Sequence, residues 1–205
     1  MSVLFNKIAP IYGKFFNFQV KHYQRVLSEI EKDFDFCNYS NIIDIGCGTG
    51  ALCSVLAEKG LKVTGIDSAE KMLEVAKRRA SNYNINFLQA NIVEEIPFDD
   101  NSFDISIASY VAHGLKDKDR ALMYQEMARI SNEYVILYDY NANRSILTNI
   151  IEWLEKGDYF NFIKVVKVEL EESFGNLIEI NVDVRASWYI CKINKSRKKV
   201  SVDNE

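Results

Sequence analysis

Asp44 stands alone in the apolar run Ile42-Ile43-Asp44-Ile45, and Gly46, Gly48 and Gly50 follow at alternate positions around Cys47 and Thr49. A carboxylate at the end of an apolar strand, followed by a loop of bare backbone, suits close approach by a ligand. Asp67 ends the next apolar run, "LKVTGID". A second acid about 20 residues past such a loop has the spacing at which a strand-end carboxylate hydrogen-bonds ribose hydroxyls. The loop and its two flanking acids together predict a ligand that contains a nucleoside.

Asp44 separates the nucleoside ligands from one another. The segment from Gly46 to Ala51 also fits the fingerprint of dinucleotide loops, which cradle a pyrophosphate. A carboxylate two residues ahead of that loop would repel the phosphates, at a cost on the order of several kcal/mol. S-adenosylmethionine has no phosphate, and its methionine end carries an ammonium and a sulfonium. Asp44 favours this cationic ligand, whereas Asp67 suits either. A nicotinamide-dependent oxidoreductase is the alternative, although the chain offers no second domain for a hydride acceptor.

Other side chains could join this chemistry. His113, in "SYVAHGL", follows the fourth apolar run and could take a proton from an acceptor. Tyr12 could close over the ligand from the N-terminal segment, and His22 reads as a surface residue of a helix there. The four cysteines form no CxxC pair and have no histidine cluster beside them, so neither a disulfide framework nor a metal site is predicted. Free thiols fit a reducing, cytoplasmic setting.

A chain of 205 residues with 48% hydrophobic side chains is long enough for one domain with a sizeable core. Its net charge of −4 offers nucleic acid no broad electrostatic attraction. No apolar run approaches the ~20 residues of a membrane span, so a membrane is not expected as a partner. Oligomeric state is not readable.

The elements that must position these residues alternate in type. Residues 1–40 read as helical, with an early break at Pro10, and are rich in aromatics: Phe5, Tyr12, Phe15, Phe16, Phe18 and Tyr23. Such a segment must bury against something, and it is expected to fold as a lid over the ligand with Tyr12 near the methionine end. From Asn41 onward, strands alternate with helices: "NIIDI", "LKVTGID", "INFLQA", "FDISIAS" and "EYVILYDY" are strands. The helix after "LKVTGID" has Ser68 as its expected N-cap, and another helix covers 117–130. This alternation predicts an α/β, Rossmann-like open sheet, mostly parallel. Residues 146–172 read as helical. Two strands then follow without a helix between them, so the sheet should end in an antiparallel C-terminal hairpin. The reading divides the chain into an N-terminal helical lid (1–40), a Rossmann-like domain (41–195) and a polar tail (196–205).

"IIDIGCGTG", "VTGIDSAEKML" and "IPFDDNSFDISIASYVAHGL", in this order and spacing, resemble the class I S-adenosylmethionine-dependent methyltransferases, and most closely their type 11 branch. The resemblance covers about residues 42–141. It implies that Gly46, Cys47, Gly48 and Gly50 form the loop under the methionine and ribose, with Asp44 at its mouth and Asp67 on the ribose. It implies that Ser68 and Met72 flank the adenine, that Ile92 packs on its face, and that Ser109 and Tyr110 contact the methionine portion. Asn91 stands where the family usually has an aspartate for the adenine amino group. Gly13, in "IYG", stands where quinone-type relatives typically have an aspartate after the tyrosine. The implied activity is methyl transfer to a small-molecule acceptor, whose identity and reacting atom are not readable. A module that binds the nucleoside without catalysis is a further alternative.

Overall fold

The computed structural model describes residues 2–142 and 158–194. The chain opens with α1 (Ser2–Lys14) and α2 (Phe16–Ile30), followed by a 3-10 turn at Phe36–Asn38. β1 (Asn41–Ile45), α3 (Ala51–Glu58), β2 (Lys62–Asp67), α4 (Glu70–Arg79) and β3 (Ile85–Gln89) come next. Then come β4 (Phe103–Ser109), α5 (Asp117–Ile130), β5 (Ser131–Tyr140), α6 (Tyr159–Phe174), β6 (Asn176–Asn181) and β7 (Ala186–Lys192). The beginning of the helix expected at 146 and the tail at 196–205 lie outside the described residues.

The seven strands form one sheet in the order β3-β2-β1-β4-β5-β7-β6. The first five pair in parallel, and β7 runs antiparallel to both β5 and β6. The expected mixed sheet with its closing hairpin is therefore the observed one. β1 is buried along most of its length because it is central and covered on both faces, so Asp44 interrupts an otherwise apolar strand. One layer of core lies between the sheet and α5 and α6, with Met123, Met127 and Ile130 fully enclosed. The other lies beneath α2 and α3, where Leu27, Ile30, Leu52 and Leu56 meet Ile42, Ile105 and Trp188. Strand order switches direction between β1 and β4, so the loops leaving their carboxyl ends diverge and open a crevice.

Two local expectations give way to tertiary structure. Pro10 does not break the helix: α1 runs through it to Lys14. An interior proline costs a helix roughly 3 kcal/mol, and α1 offsets this by seating Ala9 against Ala69, Met72 and Val75 of the α4 region. Ser68 does not cap α4. The N-cap position is Ala69, and the Asp67 carboxylate accepts the Ala69 N–H at 2.8 Å. The Lys71 N–H, which a Ser68 cap could serve, is accepted instead by Asn6 Oδ1 of α1 at 3.0 Å, and the Asp67 charge favours the same helix N-terminus.

Gly13 has a packing role. It is buried, and a Cβ there would lie 3.1 Å from a Val75 methyl, while its carbonyl accepts from Arg79 Nη2 at 2.9 Å. An aspartate at this position would press a carboxylate into the α1–α4 contact.

Candidate active site

The loop between β1 and α3 is built by backbone that only glycine adopts easily. Gly46, Gly48 and Gly50 have φ of 69°, 54° and 78°. At Gly46 a Cβ would also come within 2.5 Å of the Val111 side chain, so the loop lies flush against the exit of β4. The Gly48 N–H points at Asp67, whose Oδ2 accepts it at 2.9 Å, and Cys47 N–H bonds the Ile66 carbonyl at 2.9 Å. Asp67 thus holds the loop with one oxygen and the start of α4 with the other. Burial raises its pKa, and the two backbone donors pull it back down.

Asp44 lies just beneath. It is 1% exposed, and its Oδ2 accepts from the Cys53 thiol at 3.1 Å. Its Oδ1 is buried with no partner. Burial pushes the Asp44 pKa up to about 7, the Cys53 hydrogen bond opposes that rise, and the nearby Asp67 charge adds to it. An orphaned carboxylate oxygen at the mouth of a glycine loop calls for a donor or a cation.

The N-terminal helices reach this edge, but through α2. Thr49 Oγ1 donates to Gln19 Oε1 at 3.0 Å, and Tyr23 OH lies 2.7 Å from Ser109 Oγ. His22 is half-buried rather than on the surface, with Nε2 2.9 Å from Tyr138 OH, and burial, then the Arg25 charge, lowers its pKa. Tyr12 packs with Phe5 and Ile8 against Ala69 and Met72. Met72 is enclosed in the same α1–α4 cluster. Ser68 is half-buried, and its carbonyl accepts from Gln89. Asn91 and Ile92 follow β3 in a turn where the Asn91 amide donates to Glu94 at 2.8 Å, while Ile92 leans on the core under α5.

A second set of groups gathers where β4 and β5 end. Tyr110, at φ 54°, donates its N–H to the Tyr138 carbonyl and turns its ring against Tyr138, Tyr140 and His113. His113 sits in a 3-10 turn, Ala112–Gly114, and is nearly buried. Its Nδ1 is 2.8 Å from Asp139 Oδ1, and its backbone N–H donates to Asp139 Oδ2 at 3.3 Å. Burial raises the pKa of Tyr23, Tyr110 and Tyr138 far enough that these phenols stay protonated.

Sequence reasoning did not single out Gln19 or Asp139, and it named Tyr23 only among the N-terminal aromatics and Thr49 only as part of the glycine loop. Asp139 had a usable signal, since it is a lone acid in the apolar run "VILYDY", as Asp44 is in its own. The contacts of Gln19 and Tyr23 had none, because they join segments 30 and 86 positions apart.

Sheet order, crevice, glycine loop and paired strand-end acids define a nucleoside-binding α/β domain whose mouth is anionic. The model of a methyltransferase domain family matches residues 42–133. The malonyl-[acyl-carrier protein] O-methyltransferase of Bacillus cytotoxicus is 30% identical over 69% of this chain and 49% of its own length. The 2-phytyl-1,4-naphtoquinone methyltransferase of a Nostoc species is 32% identical over 63% and 59%. The ubiquinone biosynthesis O-methyltransferase of Rickettsia akari is 25% identical over 97% and 86%. The chain spans about half the length of the first of these relatives. Among solved structures, a candidate S-adenosyl-L-methionine-dependent methyltransferase of Methanococcus maripaludis superposes with a TM-score of 0.71 at 21% identity, covering 93% of this chain and 94% of its own. Magnesium protoporphyrin IX methyltransferase of Synechocystis, solved with bound SAH, superposes with a TM-score of 0.62 at 15% identity, covering 85% and 83%. These matches support a class I S-adenosylmethionine-dependent methyltransferase of the type 11 branch. S-adenosylmethionine is the cofactor of that family, and the orphaned Asp44 oxygen and the glycine loop fit it.

Proposed function

We propose that this chain transfers a methyl group from S-adenosylmethionine to a small-molecule acceptor. The observation that carries the reading is the buried Asp44 carboxylate, with one oxygen unpartnered beside a loop of left-handed glycines. When bound, the cofactor supplies a methyl group already activated on a sulfonium. Asp44 attracts the positive methionine end, and Gly46, Cys47, Gly48 and Gly50 let it approach the backbone. Asp67 keeps lone pairs for ribose hydroxyls beyond those used by Gly48 and Ala69. Ser68, Met72, Asn91 and Ile92 bound the adenine side, and Ser109 and Tyr110 the methionine side.

The acceptor then lies over the ends of β4 and β5. His113 is the base for an acceptor that must lose a proton. With Nδ1 held by Asp139, proton transfer falls to Nε2, and the buried carboxylate stabilises the imidazolium that forms. Residues 1–40 serve as the lid, with α2 spanning Thr49 to Ser109 and Tyr12 closing the adjoining α4 side, so water is kept from the reacting centre. Relatives named for quinone and acyl-carrier substrates support an acceptor that is a metabolite.

Titration calorimetry with S-adenosylhomocysteine and, in parallel, NAD tests the cofactor. Heat with the former and none with NAD is expected, and the reverse would overturn the reading. Screening metabolite fractions for release of S-adenosylhomocysteine then finds the acceptor.

A further inference from the structure

The net charge of −4 conceals a local reversal. Residues 1–28 hold Lys7, Lys14, Lys21 and Arg25 and no acidic side chain. The lysines recur every seventh residue, and Leu4, Ile11 and Phe18 recur with the same period between them. On a helix this spacing lines Leu4, Lys7, Ile11 and Lys14 along one side of α1. The opposite side carries Ala9 and Gly13, which are packed on α4. Leu4, Lys7, Ile11 and Lys14 are all exposed, and the pattern continues through exposed Phe15 to Phe18 and Lys21 on α2. Ile11 is 55% exposed, Phe15 57% and Phe18 71%. Among the described residues, exposed Val168, Ile178 and Val184 each have an acid beside them in the chain, Glu169, Glu179 and Asp183, whereas Leu4, Ile11, Phe15 and Phe18 lie in a stretch that has none.

We propose that the outer face of α1 and the start of α2 docks on the surface of an anionic lipid bilayer. Both halves of the pattern are used there. The apolar side chains enter the boundary between headgroups and acyl chains, and the lysines extend along it to the lipid phosphates. A nucleic acid would engage the lysines but leave Leu4 and Ile11 in water. The lack of a long apolar run argues against a membrane span and not against surface docking, and attraction to a charged surface is felt within about a Debye length, so the local sign governs over the net charge. α2 turns Gln19, His22 and Tyr23 inward to Thr49, Tyr138 and Ser109, so the docking face and the crevice share one helix. An acceptor dissolved in the bilayer would enter by this route, a consequence that rests on the methyl-transfer reading, whereas docking itself does not.

Flotation of the full chain tests the proposal, with vesicles of phosphatidylcholine alone and of phosphatidylcholine mixed with phosphatidylglycerol. Binding to the mixed vesicles at low salt, weakened by high salt and absent with phosphatidylcholine alone, is expected. K7Q/K14Q/K21Q should weaken binding about fivefold per lysine, on the order of a hundredfold together. I11S/F18S should also weaken it, and both variants should keep the wild-type thermal midpoint. Four results would each overturn the proposal: no flotation with mixed vesicles, equal flotation with phosphatidylcholine alone, K7Q/K14Q/K21Q floating like wild type, or I11S/F18S doing so. Self-association that disappears in I11S/F18S, or binding to heparin tighter than to mixed vesicles, would also overturn it by assigning the face to a second copy or to another polyanion.

Discussion

Asp44 on β1 and Asp139 on β5 lie near the carboxyl ends of their strands, and both are shielded from solvent. Asp139 accepts from the His113 backbone, the His113 ring and the Tyr140 N–H. Asp44 accepts only from a thiol, a weak donor, and one of its oxygens has no partner. Asp139 is therefore committed to holding an imidazole, while Asp44 retains capacity for something that arrives. The raised pKa of Asp44 records the same fact, because a buried carboxylate without adequate donors resists ionisation. One acid positions and the other receives, and substitutions can break either half of this contrast.

Asp44→Asn should have the largest effect. It keeps the shape and removes the charge, so S-adenosylmethionine binding should weaken by about 3 kcal/mol, a hundredfold or more, in calorimetry. The apo protein should respond in the opposite sense. The folded pKa is about 7 and the unfolded value about 4, so the native state binds the extra proton within that window. The Asp44 contribution to stability is thus present at low pH, is lost as pH rises from about 4 to about 7, and is level above. The variant should gain on wild type between pH 5 and pH 8 by on the order of a few kcal/mol in urea unfolding. Parallel curves would mean that Asp44 is not the buried, under-partnered group described above.

On the other side of the contrast, His113→Asn should lower kcat about a hundredfold, the low end of general-base effects, while cofactor binding is retained. Asp139→Asn should lower kcat about tenfold and also destabilise the fold, because three donors lose a charged acceptor. If kcat is untouched in both, the acceptor needs no base, and the pair is only a brace for β5.

Asp67→Ala ranks next, at about 2 kcal/mol in cofactor binding. Because Asp67 also holds the Ala69 and Gly48 N–H groups, unfolding should show a loss of about 1 kcal/mol. Gln19→Ala should be mildest, weakening cofactor binding by about 1 kcal/mol through a looser Thr49 contact. A larger effect from Gln19 than from Asp67 would shift weight from the strand-end acids to α2.

Much of the site was legible because the chemistry sits in one contiguous stretch. Asp44, the three glycines and Asp67 occupy β1, its loop and the end of β2, and periodicity alone places these elements. The strands from "NIIDI" to "EYVILYDY" were legible for the same reason, as was the closing hairpin, since two adjacent strands with no helix between them have no parallel option. Illegible were the places where distant segments compete for one group. Ser68 has the right chemistry for a cap, but the Lys71 N–H that it could serve is accepted by Asn6, 65 positions away in α1. Pro10 looks like a breaker until Ala9 is seen packed on α4. His22 looks like a surface residue until Tyr138 is brought over it.

The residue pattern by itself determined the strand–helix alternation, the position of the loop and the anionic character of its mouth. Hydrophobic period and side-chain charge are local properties, and each can be read one residue at a time. Only the tertiary structure decided which carboxylate keeps a vacant oxygen, which histidine gains a buried partner and which helix lies across the loop. Those outcomes depend on desolvation and on hydrogen bonds between segments far apart in the chain, and a buried group acquires its partners only when the sheet closes around it.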